Sequence, residues 1–359
     1  MTITEVRCHR LTAPLHTPFV TALRRTEHLE TTVVEVLDDD GRPGYGEAPQ
    51  VWRVTGESLA GAEACLSGPL ADVVVGRSVD DLEDLTREVQ DAVVGNFGAK
   101  AAMDVALHDL AARCGGLTLV QLLGGEAGTN RIATDVTLSA GEPDELGAAA
   151  AKRFAEGFTV LKLKVGTDAT TDVARVRAVR EAAPQAAIRV DANQGWTPDE
   201  AIRVIRALED AGLGVEFVEQ PVERYDIDGL AEVTAAVETS VMADESVFSL
   251  RDLRAIIDRR AADLVNVKLA KCGGLGVARQ LLEQARAAGM GTIVGSMMEG
   301  PIGVGAAAAL VAAVGTTQVS DLDAFWWARE SPVVGGASYD GGFIVLPDAA
   351  GLGIEGLSG

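Results

Sequence analysis

Seven short apolar, β-branched segments recur through the middle of this chain, and each ends in a polar residue: Val160-Leu-Lys-Leu-Lys164, Ile188-Arg-Val-Asp191, Val215-Glu-Phe-Val-Glu219, Val241-Met-Ala-Asp244, Leu264-Val-Asn-Val-Lys268, Thr292-Ile-Val-Gly-Ser296 and Thr317-Gln-Val-Ser-Asp321. Successive ends lie 27, 28, 25, 24, 28 and 25 residues apart. Each gap holds an amphipathic helical stretch, such as Thr197 to Ala211 or Leu250 to Arg260. This is strand-helix alternation, and an earlier strand at Ile132 to Thr137 brings the expected count to eight. Eight such units close a parallel α/β barrel of about 200 residues with right-handed connections. A doubly wound sheet is the rival architecture. It would usually show a Gly-x-Gly-x-x-Gly turn after its first strand, and none follows Thr137.

Outside the periodic region the pattern changes. Val6 to Leu11, Thr31 to Asp38 and Gly44 to Glu47 read as antiparallel strands, with Asp39-Asp40-Gly41 as a hairpin turn. A helix is expected over Lys100 to Arg113, with Ala102, Val105, Ala106 and Leu110 on one face. After Asp323 the βα rhythm stops, and Gly-rich short strands follow from Gly335 to Val345. The expected organisation is therefore an α+β capping domain over residues 1–125, a barrel over 126–323, and a tail over 324–359 that returns to the cap.

Composition narrows the function. With 359 residues, 47% of them hydrophobic, the chain is too long and too apolar for a disordered or disulfide-stapled peptide. Its 53 acidic against 31 basic residues give a net charge of −22, which argues against nucleic acid and anionic membrane as partners. The start, Met1-Thr2-Ile3-Thr4-Glu5-Val6-Arg7, lacks the basic-then-apolar pattern of a signal peptide. The longest near-apolar run, Ile302 to Gly315, falls short of the roughly 20 residues that a bilayer requires and reads as a buried helix. Cys8, Cys65, Cys114 and Cys272 lie far apart without zinc-site spacing, so reduced thiols and a cytoplasmic location are expected.

In a parallel barrel the reacting groups sit at the carboxyl ends of the strands. Here those ends carry Lys164, Asp191, Glu219, Asp244, Lys268 and Asp321. Asp191, Glu219 and Asp244 close three consecutive strands, and oxygen ligands so placed suit a hard cation, Mg²⁺ before Ca²⁺ or Mn²⁺. Each alone could be a helix cap; three in register, flanked by lysines, point to a metal. Lys162 and Lys164, two apart on one strand, share the interior face, and their mutual repulsion is expected to lower the amine pKa. Lys268 stands four strands on, across the mouth. Two opposed bases and a cation suit removal of a proton α to a carboxylate, stabilisation of the resulting enediolate by the metal, and proton return to the opposite face. The bland alternative, that Lys268 and Lys271 form a solvated basic patch, is weakened by Val267 and Leu269, which flank Lys268 in a strand.

Taken together, Lys162-Leu-Lys164, Asp191-Ala-Asn-Gln-Gly-Trp196, Val218-Glu-Gln-Pro221, Ala243-Asp-Glu-Ser246, Asn266-Val-Lys268 with Cys272-Gly-Gly274, and Pro347-x-x-x-Gly-Leu-Gly-Ile354 resemble the muconate-lactonizing subgroup of the enolase superfamily. The resemblance runs through nearly the whole chain. It implies a modified (β/α)7β barrel with a cap, one Mg²⁺ per active site with Mn²⁺ as the alternative, and a homo-oligomer. It implies less about the reaction, because the subgroup includes cycloisomerases, o-succinylbenzoate synthases, N-acylamino acid racemases and dipeptide epimerases.

Two features favour the last of these, an isomerase that epimerises the carboxyl-terminal residue of a dipeptide. Asp321 and Asp323 place two carboxylates on one face, suited to a cationic ammonium. The resemblance to dipeptide epimerases assigns that pair to the free amino terminus of the substrate. Pro18-Phe-Val-Thr-Ala-Leu-Arg-Arg25 is similar to the mouth-closing loop of the Ala-Glu epimerases, which implies that Arg24 pairs with a substrate side-chain carboxylate and makes L-Ala-L/D-Glu the first candidate substrate. Asn193, Glu245 and Asn266 are expected to support the neighbouring ligands. Departures from the Ala-Glu pattern are Trp52 and Arg53 in a second loop, and Ala324-Phe-Trp-Trp327, whose rings either line the pocket or seat the barrel on the cap.

Overall fold

The computed structural model describes residues 1–358. Three antiparallel strands, β1 (Ile3–Val20), β2 (Arg25–Asp38) and β3 (Pro43–Pro49), form the cap sheet in the order β1-β2-β3. The expected turn at Asp39-Asp40-Gly41 joins β2 to β3: Asp38 Oδ1 accepts from the amides of Asp40 and Arg42, and Gly41 takes a positive φ of 75°. β1 and β2 extend well past their sequence-based bounds as a long ribbon. The loop expected over Pro18 to Arg25 is consequently a tight hairpin tip, closed by Thr21 N on Arg24 O at 2.9 Å.

The helix Phe97–Gly115 is buried all round, not on one face. Ala102, Ala106 and Leu110 join the cap core, while Ala101 and Val105 join the barrel core, so the helix is a wall shared by the two. Gly46 lets the cap sheet approach it, because a Cβ there would meet the carbonyl of Ala102.

The barrel sheet runs in parallel sequence order through β5 (Val136–Leu138), β6 (Val160–Lys164), β7 (Ala187–Asp191), β8 (Val215–Glu219), β9 (Ser240–Ala243), β10 (Leu264–Lys268) and β11 (Gly291–Gly295). Two expected strands are corrected. The stretch Ile132 to Thr137 divides: β4 (Arg131–Ala133) pairs with the tail, and only β5 enters the barrel, because Thr134 and Asp135 switch partners from Gly342 to Ser320. The eighth strand is reduced to Ser320 and Asp321, whose parallel bridges to Thr134 and Gly295 close the cylinder. Beside them the hydroxyls of Thr317 and Ser320 take the amides of Thr292 and Val294, replacing part of the backbone ladder.

The tail forms β12 (Val333–Gly335), β13 (Ser338–Asp340), β14 (Phe343–Val345) and β15 (Ile354–Leu357). It reaches the shared helix, where Asp109 Oδ1 accepts from Leu352 N at 2.6 Å and Arg113 donates to the carbonyl of Ile354 at 2.8 Å. The Ala-rich run lies in a buried helix, Pro301–Val314, and no described helix is long and apolar enough to cross a membrane. All four cysteines are unpaired. Inside the barrel, Phe217, Met242, Leu264 and Ile293 form a small apolar floor. The period-2 alternation of the strands then aims the next inward residues, Glu219, Asp244, Asn266 and Lys268, at the mouth.

Candidate active site

Every charged strand end named from the sequence converges on this mouth. Lys162 Nζ, fully buried, lies 2.6 Å from Asp321 Oδ2, 2.7 Å from Glu219 Oε2 and 3.1 Å from Asp191 Oδ2. Lys164 Nζ is 2.6 Å from Asp191 Oδ2, and Lys268 Nζ is 2.9 Å from Asp244 Oδ2. Asn193, Glu245 and Asn266 lie beside these strand ends. Asn266 donates to Glu219 Oε1 at 2.9 Å, Asn193 donates to Glu245 Oε1 at 3.2 Å, and the backbone of Asn193 donates to Asp191 Oδ1 at 2.8 Å. Gln220 fixes the next strand end by accepting from Asp244 N at 2.9 Å.

The expected depression of the amine pKa is corrected for Lys162. Burial alone would lower Lys162, but Asp321, Glu219 and Asp191 outweigh it and hold the amine charged. Lys268 is raised in the same way, Asp244 overcoming burial. Conversely, burial would raise Asp191, Asp244 and Asp321, yet the neighbouring ammonium groups keep all three below the usual carboxylate range. Glu219 is pushed up to about 7 by burial and by Asp191, and Glu245 to about 8 by burial and by Asp244.

These side chains fit a divalent oxygen-seeking cation. Six buried carboxyl groups (Asp191, Glu219, Asp244, Glu245, Asp321, Asp323) face four buried amines (Lys162, Lys164, Lys268, Lys271), so two acids are left over that a bound cation would hold ionised. Glu219 Oε2, Asn193 Oδ1 and Glu245 Oε2 are buried acceptors without a hydrogen bond, the close Lys162 amine standing off-line from Glu219. Such orphans are costly unless a cation or donor meets them. Among the described residues no three acidic, His or Cys side chains close on one metal point, because the lysine amines lie between the carboxylates.

The outer wall of the mouth comes from the eighth bridge and the cap. The cavity is lined by Lys164, Lys268, Asp244, Asp321, Asp323 and Arg24, with Phe19 and Val54 from the cap. Arg24, on the ribbon tip, is half-buried, and its guanidinium makes no ion pair among the described residues. Burial shifts it down, opposed by the charge of Glu245. Asp323 Oδ2 accepts from Thr137 N at 2.7 Å and from the indole of Trp327 at 3.1 Å. The open alternatives for the aromatic run resolve toward seating. Trp327 packs against His16 and Phe19, Trp326 against His16 and Phe158, and Phe325 against Tyr339. Trp52 is 63% exposed, beside a neighbouring cavity that shares Arg24 and Met298 with the mouth.

Several participants escaped the sequence reading. Lys271 is no solvated patch: it is fully buried, with Nζ 2.5 Å from Asp244 Oδ1 and 3.0 Å from Asn266 O. Its position one helical turn past a strand end, in a Lys-x-x-Lys spacing, was the available signal. Arg189 and Asp135 form a buried pair at 3.2 Å beneath the lysines; Arg189 is signalled by its spacing two before Asp191. Glu47 joins cap to barrel by accepting from Gly300 N at 2.6 Å and Gly303 N at 2.9 Å, at the start of the helix that follows β11.

A capped parallel barrel with carboxylates on consecutive strand ends between opposed lysines defines the class. Residues 3–124 match the mandelate racemase / muconate lactonizing enzyme N-terminal domain, and residues 145–356 match the enolase C-terminal domain-like family. The chain belongs to this family of the enolase superfamily. Within it, the chain is similar to the L-Ala-D/L-Glu epimerase of Bacillus subtilis, 41% identical over 100% of this chain and 98% of that protein. The solved substrate-liganded complex of the B. subtilis L-Ala-D/L-Glu epimerase superposes with a TM-score of 0.96 at 40% identity, covering 100% of both chains. A dipeptide epimerase of Enterococcus faecalis, solved with Mg and L-Leu-L-Tyr, superposes with a TM-score of 0.93 at 38% identity over 99% of each chain.

Proposed function

We propose that this chain is a Mg²⁺-dependent dipeptide epimerase, an isomerase that inverts the α-carbon of the carboxyl-terminal residue, with L-Ala-L/D-Glu as the first candidate substrate. The observation that carries the reading is the placement of Lys164 on β6 and Lys268 on β10, four strands apart around one mouth that also holds Asp321 and Asp323. Asp191, Glu219 and Asp244 would hold the cation, which supplies positive charge against the substrate carboxylate as the adjacent carbon loses its proton.

One lysine accepts that proton and the other delivers one to the opposite face, so the number of protons on the substrate is unchanged and its configuration inverts. Lys162 lies beneath and neutralises Asp191, Glu219 and Asp321. Asn193, Glu245 and Asn266 support the cation ligands. Asp321 and Asp323 receive the ammonium of the substrate, and Arg24, free of an acidic partner, receives a side-chain carboxylate. The half-buried walls, the −22 net charge and the free cysteines support a small-molecule enzyme of a reducing compartment, which we assign as the cytoplasm. Assembly as a homo-oligomer rests on family membership, and light scattering reads it.

The test is proton NMR with Mg²⁺ in deuterated water against a panel of L,L-dipeptides including Ala-Glu, with N-acylated amino acids as controls. Exchange of the carboxyl-terminal α-proton together with a second diastereomer is the expected result. Exchange of N-acylated compounds alone refutes the dipeptide assignment while leaving the two-lysine chemistry intact.

A further inference from the structure

The aromatic run after the eighth strand is unusual in a chain with 4% aromatic residues, and the fold gives one of its rings two attachments. Through its indole N–H, Trp327 donates to Asp323 Oδ2. Through its ring, it stacks on His16 at 5.2 Å and meets the edge of Phe19 at 5.1 Å, both on β1 of the ribbon that ends in Arg24. The backbone reinforces this seat: Arg329 N donates to Pro14 O at 2.9 Å, and Leu15 bridges Ala328. Trp327 is itself buried, packed with Ala13, Leu15, Phe19, Leu29 and Met298.

The hydrogen-bond count at the acidic pair is informative. Asp323 Oδ2 is saturated by Thr137 N and Trp327 Nε1, and Asp321 Oδ2 is taken by Lys162. Among the described residues, neither Oδ1 accepts a hydrogen bond from the protein. Two carboxylates therefore present one fixed oxygen each to the mouth, an arrangement that meets two N–H vectors of a single ammonium.

We propose that Trp327 is a positioning residue for the substrate ammonium: its indole N–H locks the Asp323 carboxylate so that Oδ1 faces the mouth, while its ring registers that carboxylate against the ribbon carrying Arg24. It touches no reactant. Its contribution is orientation of a binding group, so its loss weakens binding of the amino terminus while leaving the lysines in place. The inference rests on the reading of Asp321 and Asp323 as the ammonium site.

Trp327→Phe keeps an aromatic ring and removes the N–H. On a free dipeptide with Mg²⁺, KM is expected to rise about 10-fold with kcat changed less than about twofold, the signature of lost uniform binding. In an Asp323→Ala background the same substitution is expected to have no further effect, because the carboxylate it orients is gone. An unchanged KM, or an equal loss added on top of Asp323→Ala, overturns the proposal, since a purely structural tryptophan would act in both backgrounds. If Trp327→Phe does not fold, the wild-type protein labelled with ¹⁵N at its indoles answers instead. Asp323→Ala must then shift one indole N–H resonance, and four unmoved resonances overturn the proposal. A wild-type enzyme that exchanges N-acylated but not free dipeptides refutes the ammonium site and the inference together, whereas an unaffected Trp327→Phe refutes the inference alone.

Discussion

Lys271 Nζ lies 2.5 Å from Asp244 Oδ1, while Lys268 holds the other oxygen of that carboxylate at 2.9 Å. The two amines differ in access: Lys268 lines the mouth and Lys271 is wholly enclosed. Removing Lys271 takes the buried donor from Asp244 Oδ1 and from the carbonyl of Asn266, while Lys268 keeps only the other carboxylate oxygen. Lys271→Met is therefore expected to cost about 3 kcal/mol of stability, the scale of breaking a buried ion pair, measured by urea unfolding. A loss below about 1 kcal/mol, the scale of an exposed pair, would show that Asp244 finds another partner.

Lys164 and Lys268 should fail in different halves of the reaction. Lys164→Ala and Lys268→Ala are each expected to lower epimerisation on the order of 10² to 10⁴. Each should still wash the α-proton of one epimer into deuterated water without producing the other, because the remaining lysine serves one face. The two variants should select opposite epimers. Full epimerisation surviving in either variant would argue that the remaining lysine performs both transfers.

Asp321 and Asp323 are not equivalent, although the sequence presents them as a pair. Asp321 also neutralises Lys162 at 2.6 Å, whereas Asp323 is held by neutral donors, Thr137 N and the Trp327 indole. Asp321→Asn is thus expected to lower both kcat and affinity for a free dipeptide, while Asp323→Asn raises KM by about 10-fold with kcat nearly preserved. Steady-state kinetics on one dipeptide separates the two. Indifference to both substitutions would remove the ammonium site.

The barrel was legible because its strands carry their period in the spacing of Lys164, Asp191, Glu219, Asp244 and Lys268, and period 2 then decides which side chains enter the interior. What spacing does not carry is partner choice. Thr134 and Asp135 read as the middle of one strand, yet they exchange the tail for Ser320, a decision made by residues 185 and more positions away. Likewise, the like-charge pair Lys162 and Lys164 suggested depressed amines, but three carboxylates from other strands reach Lys162 and reverse the sign. Lys271 was ambiguous for the same reason, since a lysine after a strand is ordinarily solvated, and only the fold reveals that a cap helix closes over it. The aromatic run was visible as unusual; its hydrogen bond to Asp323 was not.

Glu57 makes stability depend on pH in a defined direction. It closes the loop that brings Val54 to the mouth, and both carboxylate oxygens lie 3.0 Å from Gly98 N at the start of the shared helix. Burial pushes its pKa up to about 7 from the ordinary 4.5 of a glutamate, the amide of Gly98 only partly offsetting it. The folded protein therefore holds this proton more tightly than the unfolded chain does. Stability from this group is complete below about pH 4.5, falls by about 1–3 kcal/mol as pH rises to 7, and levels off beyond. Buried acids such as Glu47 and Glu299, also raised by burial, add slopes of the same sign, so the wild type is compared with Glu57→Gln, which cannot titrate. Urea midpoints taken at intervals from pH 5 to 8 should fall less steeply in the variant, the two curves converging toward acid. Parallel curves would mean that Glu57 keeps an ordinary carboxylate pKa in the folded protein, and that the Gly98 amide outweighs burial.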